Sequence, residues 1–299
     1  MSSILYKDAV LNEDISIAYS DYGHGQPVLL IHGWPLSKEM WEYQLPDIIS
    51  NGNRVIAYDR RGFGDSSKPW EGYGYDLLAA DLNQLIGQLD LRDVILVGFS
   101  MGGGEIARYL KKYGRSRIAR VVLISSILPF LQKTAENSSG VEADVFKEMV
   151  LKIKTDRMLF LEEFLKQFFD VSVLNRPVSH PMLNYYLGLA SKAAMHATIS
   201  CITSFSATDF SNDLDALEEL PLLLIHGDED RIVPKEASTD LLAGTVAQAQ
   251  YSVYADAPHG LFYTHRGRLN RDLINFIKGM PYQKMDEELM PPVIPPFLF

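Results

Sequence analysis

Glycines flank a serine in the segment Gly98-Phe-Ser100-Met-Gly102. This G-x-S-x-G spacing is typical of a nucleophilic serine held on a sharp turn between a strand and a helix. Glycines suit such a turn, because larger side chains would collide with the neighbouring strand and helix. Residues 94–97 before the turn are strand-like, and residues 104–113 after it are helix-like. We therefore predict that Ser100 is a nucleophile and not a structural turn residue.

A serine hydroxyl is a weak nucleophile at neutral pH, so the site also needs a histidine base. Among the histidines after Ser100, His259 stands in a loop, Ala-Pro-His259-Gly, directly after a strand-like run. His226 ends another strand and is expected to be a buried, hydrogen-bonded structural residue. His180 and His196 fall in a region with helical character. We predict His259 as the base, and activity should fall below about pH 6 as a histidine gains its proton.

The base needs a carboxylate that holds its tautomer, and the loop after residues 222–225 offers three carboxylates in the segment Gly-Asp228-Glu-Asp230-Arg-Ile-Val-Pro. Asp228 directly follows a glycine and is expected to cap local backbone amides in a turn. Asp230 lies further along the loop. We predict that Asp230 orients His259.

Acyl transfer also requires two amides aimed at the oxyanion that develops during the reaction. Met101, directly after the nucleophile, supplies one amide. The loop His32-Gly-Trp34-Pro35, at the end of an early strand, is expected to supply the second from Trp34, since Pro35 has no N–H. His32 is expected to brace this loop.

Aromatic residues spread along the chain suggest an apolar substrate pocket. The same side chains would serve equally well as ordinary core, and the indole of Trp34 has that alternative too. The candidate pocket residues are Trp34, Pro35, Phe99, Phe160, Phe164 and Phe205.

Strands and helices alternate along most of the chain, which predicts an α/β fold with a doubly wound, mostly parallel sheet. The alternation stops between residues 126 and 220, where helix-like aromatic segments predict a cap inserted between two sheet strands. The predicted division is a first core part, the helical cap, a second core part and a proline-rich apolar tail, at residues 1–125, 126–220, 221–279 and 280–299.

Composition excludes several classes of partner. A formal net charge of −10 argues against nucleic acid, whose phosphates need a basic face. The single cysteine, Cys201, permits no intrachain disulfide and no thiolate metal cluster, and we expect a cytoplasmic location. The N-terminal residues lack the pattern of a secretion signal, and no membrane span is expected. The apolar tail leaves two alternatives open, which are burial in a homo-oligomer and docking on the chain's own cap.

Together these motifs resemble the cofactor-free bacterial haloperoxidases and aryl esterases of the α/β-hydrolase superfamily. The resemblance runs from about residue 19 to residue 278 and rests on six segments: His32-Gly-Trp-Pro, Met40-Trp-Glu-Tyr-Gln44, Tyr58-Asp-Arg-Arg-Gly-Phe-Gly64, Gly98-Phe-Ser-Met-Gly-Gly-Gly104, His226-Gly-Asp-Glu-Asp-Arg-Ile-Val-Pro234 and Ala257-Pro-His-Gly260.

This resemblance implies a helical cap, a triad of Ser100, His259 and Asp230, and an oxyanion hole from the amides of Trp34 and Met101. It also implies hydrolysis of small esters, and peracid formation from a carboxylic acid and hydrogen peroxide, with the peracid oxidising halide without metal or haem. In this family a proline after the oxyanion-hole tryptophan accompanies stronger perhydrolysis. We therefore expect Pro35 to turn the carbonyl of Trp34 toward the site, where it can accept a hydrogen bond from peroxide.

Other reactions fit the same triad, and a lactonase, an amidase and a carbon–carbon bond hydrolase remain alternatives. A dehalogenase or an epoxide hydrolase would have aspartate in place of Ser100. The remaining alternative is a non-catalytic protein that uses the fold to bind a ligand, because a fold alone does not establish activity.

Overall fold

The computed structural model describes residues 2–280, and within them one eight-stranded sheet forms the centre of the molecule. The strand order is β1-β2-β4-β3-β5-β6-β7-β8. The strands are β1 (Ser2–Lys7), β2 (Asp14–Tyr22), β3 (Gln26–Ile31), β4 (Asn53–Tyr58), β5 (Val94–Phe99), β6 (Ile118–Ile124), β7 (Leu222–Gly227) and β8 (Gln250–Tyr254).

From β4 to β8 the neighbouring strands are parallel, whereas β1 and β2 pair antiparallel at one edge. The predicted α/β fold with a mostly parallel sheet is confirmed. The antiparallel pair was not predicted, because β1 and β2 lack the continuous apolar runs that identify the buried strands in the sequence. All six residues of β5 and of β7 are buried, as expected for central parallel strands covered by helices on both faces.

Nine α-helices lie in the described residues. They are α1 (Leu45–Ser50), α2 (Tyr75–Gln88), α3 (Met101–Tyr113), α4 (Ala143–Phe168), α5 (His180–Ser191), α6 (Met195–Ala207), α7 (Thr239–Thr245), α8 (Leu261–Thr264) and α9 (Arg266–Ile277). None of the helices between residues 2 and 280 combines the length and the apolar character that crossing a bilayer would need.

Helices α4, α5 and α6 lie between β6 and β7, where the sequence predicts the cap. Asp156 interrupts α4 with non-helical backbone (φ −152°, ψ 94°), and its carboxylate accepts a hydrogen bond from the amide of Leu159 at 3.0 Å. The next residue, Arg157, donates to the carbonyl of Ala193 at 2.6 Å, so α4 is tied to the chain that follows α5. The tail predicted at residues 280–299 lies outside the described residues apart from Met280.

Candidate active site

Ser100 lies on the sharp turn between β5 and α3, with backbone dihedrals of φ 53° and ψ −115°. This left-handed conformation is uncommon for a residue with a side chain. The turn is closely packed: a Cβ atom on Gly102 would lie 2.8 Å from the carbonyl oxygen of Ile31, and one on Gly98 would lie 2.8 Å from the carbonyl oxygen of Gly102. The glycines therefore allow the turn to seat against β3.

The structure brings Ser100, His259 and Asp230 together from three separate loops. His259 Nε2 is 3.1 Å from Ser100 Oγ, and His259 Nδ1 is 2.6 Å from Asp230 Oδ2. Because the carboxylate can only accept, Nδ1 carries the hydrogen and Nε2 is left to accept the serine proton. This arrangement can activate the hydroxyl for attack on an acyl carbon.

Asp230 is held by more than the histidine base. Its Oδ1 accepts hydrogen bonds from the amides of Ile232 at 2.9 Å and Val233 at 2.8 Å. Burial acts to raise the pKa of Asp230, but His259 and His226 lower it below the usual aspartate range. The carboxylate is thus charged and fixed in orientation. Asp228, the carboxylate expected to form a turn, is exposed.

The residue that sequence reasoning assigned a purely structural role, His226, also contacts the acid. Its side chain is fully buried, and Nε2 lies 3.2 Å from Asp230 Oδ2. No local pattern signals this contact, since it depends on the path of the loop after β7.

The loop after β3 lies against the nucleophile, because a Cβ on Gly33 would be 3.2 Å from the Cβ of Ser100. A hydrogen bond of 3.0 Å from the Leu36 amide to the Gly33 carbonyl closes this loop, and the Trp34–Pro35 peptide bond is cis. Neither the amide of Trp34 nor that of Met101 donates to another of the described residues. Both amides are therefore available to an oxyanion.

A cavity of about 240 Å³ opens onto Ser100 and His259. Its apolar wall includes four of the predicted pocket residues: Trp34, Phe160, Phe164 and Phe205. The ring of Trp34 contacts Phe164 edge-on, with centroids 5.0 Å apart, and its Nε1 donates to the carbonyl of Thr198 at 3.1 Å. The charged lining residues are exposed and mark the mouth of the cavity: Glu148, Lys152, Glu163 and Arg231.

Two predicted pocket residues, Phe99 and Pro35, do not line this cavity. Phe99 is the last residue of β5, and its ring lies in the core between His259, at 4.9 Å, and Phe262, at 5.2 Å. Phe99 therefore packs against the ring of His259 from the core side and does not contact the cavity. Pro35 follows Trp34 along the loop, and only Trp34 reaches the cavity wall.

A buried ion pair joins α3, which begins at Met101, to the loops after β3 and β4. Arg60 pairs with Glu105 of α3, and both side chains are at most 1% exposed. Arg60 Nη2 also donates to the carbonyl of His32 at 2.6 Å, and the Arg60 amide donates to His32 Nε2 at 3.0 Å. His32 thus braces its loop as expected, whereas the sequence pattern did not identify Glu105 as the partner.

Among residues 2–280, one group of carboxylates lies close enough to hold a metal ion: Glu39, Asp59 and Asp65. The ammonium group of Lys38 is within 2.9 Å of a carboxylate oxygen of each of the three. This single cation offsets one of the three negative charges of the cluster.

Comparison with known proteins agrees with the fold. Residues 26–266 match the family model described as alpha/beta hydrolase fold. A putative non-heme chloroperoxidase from Synechocystis sp. is 43% identical over 265 residues, covering 88% of this chain and 95% of that protein. A bifunctional esterase/perhydrolase from Acinetobacter calcoaceticus is 34% identical over 272 residues, covering 89% of this chain and 98% of that protein.

Among solved structures, a bromoperoxidase from Bacillus anthracis superposes with a TM-score of 0.88 at 44% identity, covering 93% of this chain and all of that one. The family resemblance read from the sequence motifs is confirmed. The chain belongs to the α/β-hydrolase fold family and is a relative of the non-haem haloperoxidases.

Proposed function

We propose that this chain is a serine esterase that hydrolyses small carboxylic esters through an acyl-enzyme on Ser100, and that it also forms peracids from carboxylic acids and hydrogen peroxide. The observation that carries the proposal is the contact of 3.1 Å between Ser100 Oγ and His259 Nε2 at the floor of an apolar cavity. The relatives named as chloroperoxidase and as esterase/perhydrolase support it.

In the first half of the reaction, Ser100 Oγ attacks the ester carbonyl carbon while His259 Nε2 takes the hydroxyl proton. The carbonyl oxygen becomes an oxyanion between the amides of Trp34 and Met101. When the tetrahedral intermediate collapses, His259 returns the proton to the departing alcohol oxygen. Asp230 keeps its charge throughout and stabilises the imidazolium.

In the second half, the acyl-enzyme is attacked by water or by hydrogen peroxide. His259 removes the proton of the attacking oxygen and then gives it to Ser100 Oγ, which releases a carboxylic acid or a peracid. The carbonyl of Trp34 accepts no hydrogen bond from the described residues, so it is available to the second O–H of peroxide. The peracid then oxidises halide to hypohalous acid and returns to the carboxylic acid, so the proposed cycle requires no cofactor.

The substrate class follows from the cavity wall. Trp34, Phe160, Phe164 and Phe205 surround the approach to Ser100, and the charged lining residues are confined to the mouth. An uncharged apolar acyl group is therefore favoured over a dicarboxylate, because no buried cation in this wall would compensate a second negative charge. The segment 126–220 serves as the cap that supplies most of this wall.

The first test compares wild type with Ser100→Ala on an aryl acetate, and on acetate with hydrogen peroxide and bromide. Wild type should release the aryl alcohol and halogenate an acceptor, and Ser100→Ala should lower both rates by at least about 10³. An equal rate in the two proteins would contradict the proposal. Halogenation retained by Ser100→Ala would contradict the peracid route alone.

The proposal includes a cytoplasmic location and small-molecule partners, namely an acyl donor and hydrogen peroxide. Association of the chain with itself is tested by light scattering on the full chain and on a chain that ends at residue 280. If truncation lowers the number of subunits in each particle, the result supports burial of the apolar tail against a second subunit.

A further inference from the structure

His226 lies at the end of β7, buried between the sheet and the loop that carries Asp230. Its Nε2 is 2.8 Å from the carbonyl oxygen of Val233 and 3.2 Å from Asp230 Oδ2. Both of these groups only accept hydrogen bonds, so Nε2 carries the hydrogen. On the other side of the ring, Nδ1 is 2.6 Å from Thr239 Oγ1. In the neutral ring Nδ1 therefore accepts a hydrogen bond from the hydroxyl group of Thr239.

The consequence concerns a single oxygen atom. Asp230 Oδ2 lies 2.6 Å from His259 Nδ1 and 3.2 Å from His226 Nε2, whose single hydrogen is shared between this oxygen and the nearer carbonyl of Val233 at 2.8 Å. The other oxygen, Oδ1, receives the amides of Ile232 and Val233. Removing His226 would leave the two backbone amides in place and would free Oδ2 to interact with His259 alone.

We propose that His226, held by Thr239, is a positioning residue of the active site: it fixes the carboxylate of Asp230 and limits how strongly that carboxylate stabilises the protonated form of His259. The inference rests on the esterase activity proposed above. It assigns a role in that activity to His226 and Thr239, which touch neither the substrate nor the reacting atoms.

Asp230 and His259 have few other charged neighbours among the described residues, and the carboxylate of Asp240 interacts electrostatically with His226. Two uncharged rings pack against the His259 ring, Phe99 from β5 at 4.9 Å and Phe168 from α4 at 4.8 Å between centroids. The neighbours of Asp230 in its own loop, Glu229 and Arg231, are exposed and contact each other at 3.3 Å. A change at His226 should therefore be seen by His259 mainly through Asp230.

The test uses His226→Leu, which removes the donor, and His226→Gln, whose amide can still donate to Asp230. His226→Leu should lower kcat about tenfold with little change in KM, because substrate does not contact this residue. It should also move the acid limb of the kcat/KM profile to higher pH by about half a unit to one unit, because a carboxylate with fewer donors favours the imidazolium more strongly. His226→Gln should restore much of both.

The matched control is His265→Leu. His265 also pairs with a threonine hydroxyl, at 2.9 Å from Thr264, but it contacts none of Ser100, Asp230 and His259 in the described residues. This variant should keep the wild-type kcat and pH profile.

An unchanged kcat and an unmoved acid limb in His226→Leu would overturn the proposal. If His226→Leu does not fold, Thr239→Val carries the test, since it keeps the ring and weakens its N–H as a donor. Its acid limb should move in the same direction by less, and an unmoved limb would again overturn the idea. Failure of the esterase proposal itself would be seen separately, because the wild-type protein would then not hydrolyse an aryl acetate.

Discussion

At the scale of single residues, the active site depends on a carboxylate that stays ionised while buried. Burial alone would raise the pKa of Asp230, but the two imidazoles that face it lower the pKa below its usual value of 3.8. A depressed pKa means that the charged form is present above pH 4. Its contribution to stability is likewise present above that value and is lost only as the pH falls through the folded-state pKa.

The lowered pKa of Asp230 determines how kcat/KM should fall on the acid side of the pH profile. Between pH 7 and pH 5 Asp230 takes up no proton, so activity should be lost through protonation of a single histidine base. The logarithm of kcat/KM on an aryl acetate should fall with a slope of about one over this range. A slope near two would mean that the carboxylate protonates together with the base.

At the scale of elements, the turn between β5 and α3 depends on glycines that face neighbouring backbone. Gly102→Ala would push a methyl group to within 2.8 Å of the Ile31 carbonyl oxygen, which belongs to β3 and cannot rotate away. We expect a loss of about 1–3 kcal/mol in the free energy of unfolding, measured by urea denaturation. The rate should fall too, since the turn carries Ser100 and the Met101 amide.

Gly87→Ala in α2 is the control for this variant. A Cβ on Gly87 would meet nothing within 4 Å, and its φ is not left-handed. Alanine there should leave activity unchanged and raise stability by a few tenths to about 1 kcal/mol through helix propensity. A Gly102→Ala protein as stable and as active as Gly87→Ala would show that the turn tolerates a side chain.

At the scale of the whole molecule, the buried pair of Arg60 and Glu105 joins α3 to the loops after β3 and β4. Glu105→Gln would leave the Arg60 guanidinium buried without its counter-charge. The expected loss in the free energy of unfolding is about 3–5 kcal/mol, measured by urea denaturation. Activity should fall as well, because Arg60 holds the carbonyl of His32 beside the Gly33-Trp34 loop.

The surface pair of Lys111 and Asp215 provides the comparison. It also links α3 to a later part of the chain, but both side chains are exposed to solvent. Asp215→Asn should leave the urea midpoint in place, because water screens such a pair. A Glu105→Gln protein that behaves like Asp215→Asn would contradict the bracing role.

Local pattern predicted much of this molecule. Glycines on both sides of Ser100, between a run of apolar residues and a helix-like segment, were enough to predict the turn, because backbone conformation depends on neighbouring residues. Alternating strands and helices predicted the mostly parallel sheet, and the segments around His259 and Asp230 placed both residues in loops that follow strands. All of these features depend on short stretches of sequence.

Only the tertiary structure decided which side chains touch. His226 and His259 are 33 positions apart in the printed sequence, yet both reach one oxygen of Asp230. Phe99 adjoins Ser100 in sequence but lies in the core behind the base, and Glu105 meets Arg60 across 45 positions. The physical reason is that such contacts depend on how strands and helices pack, and distances between distant segments are set by the whole core rather than by local residue types.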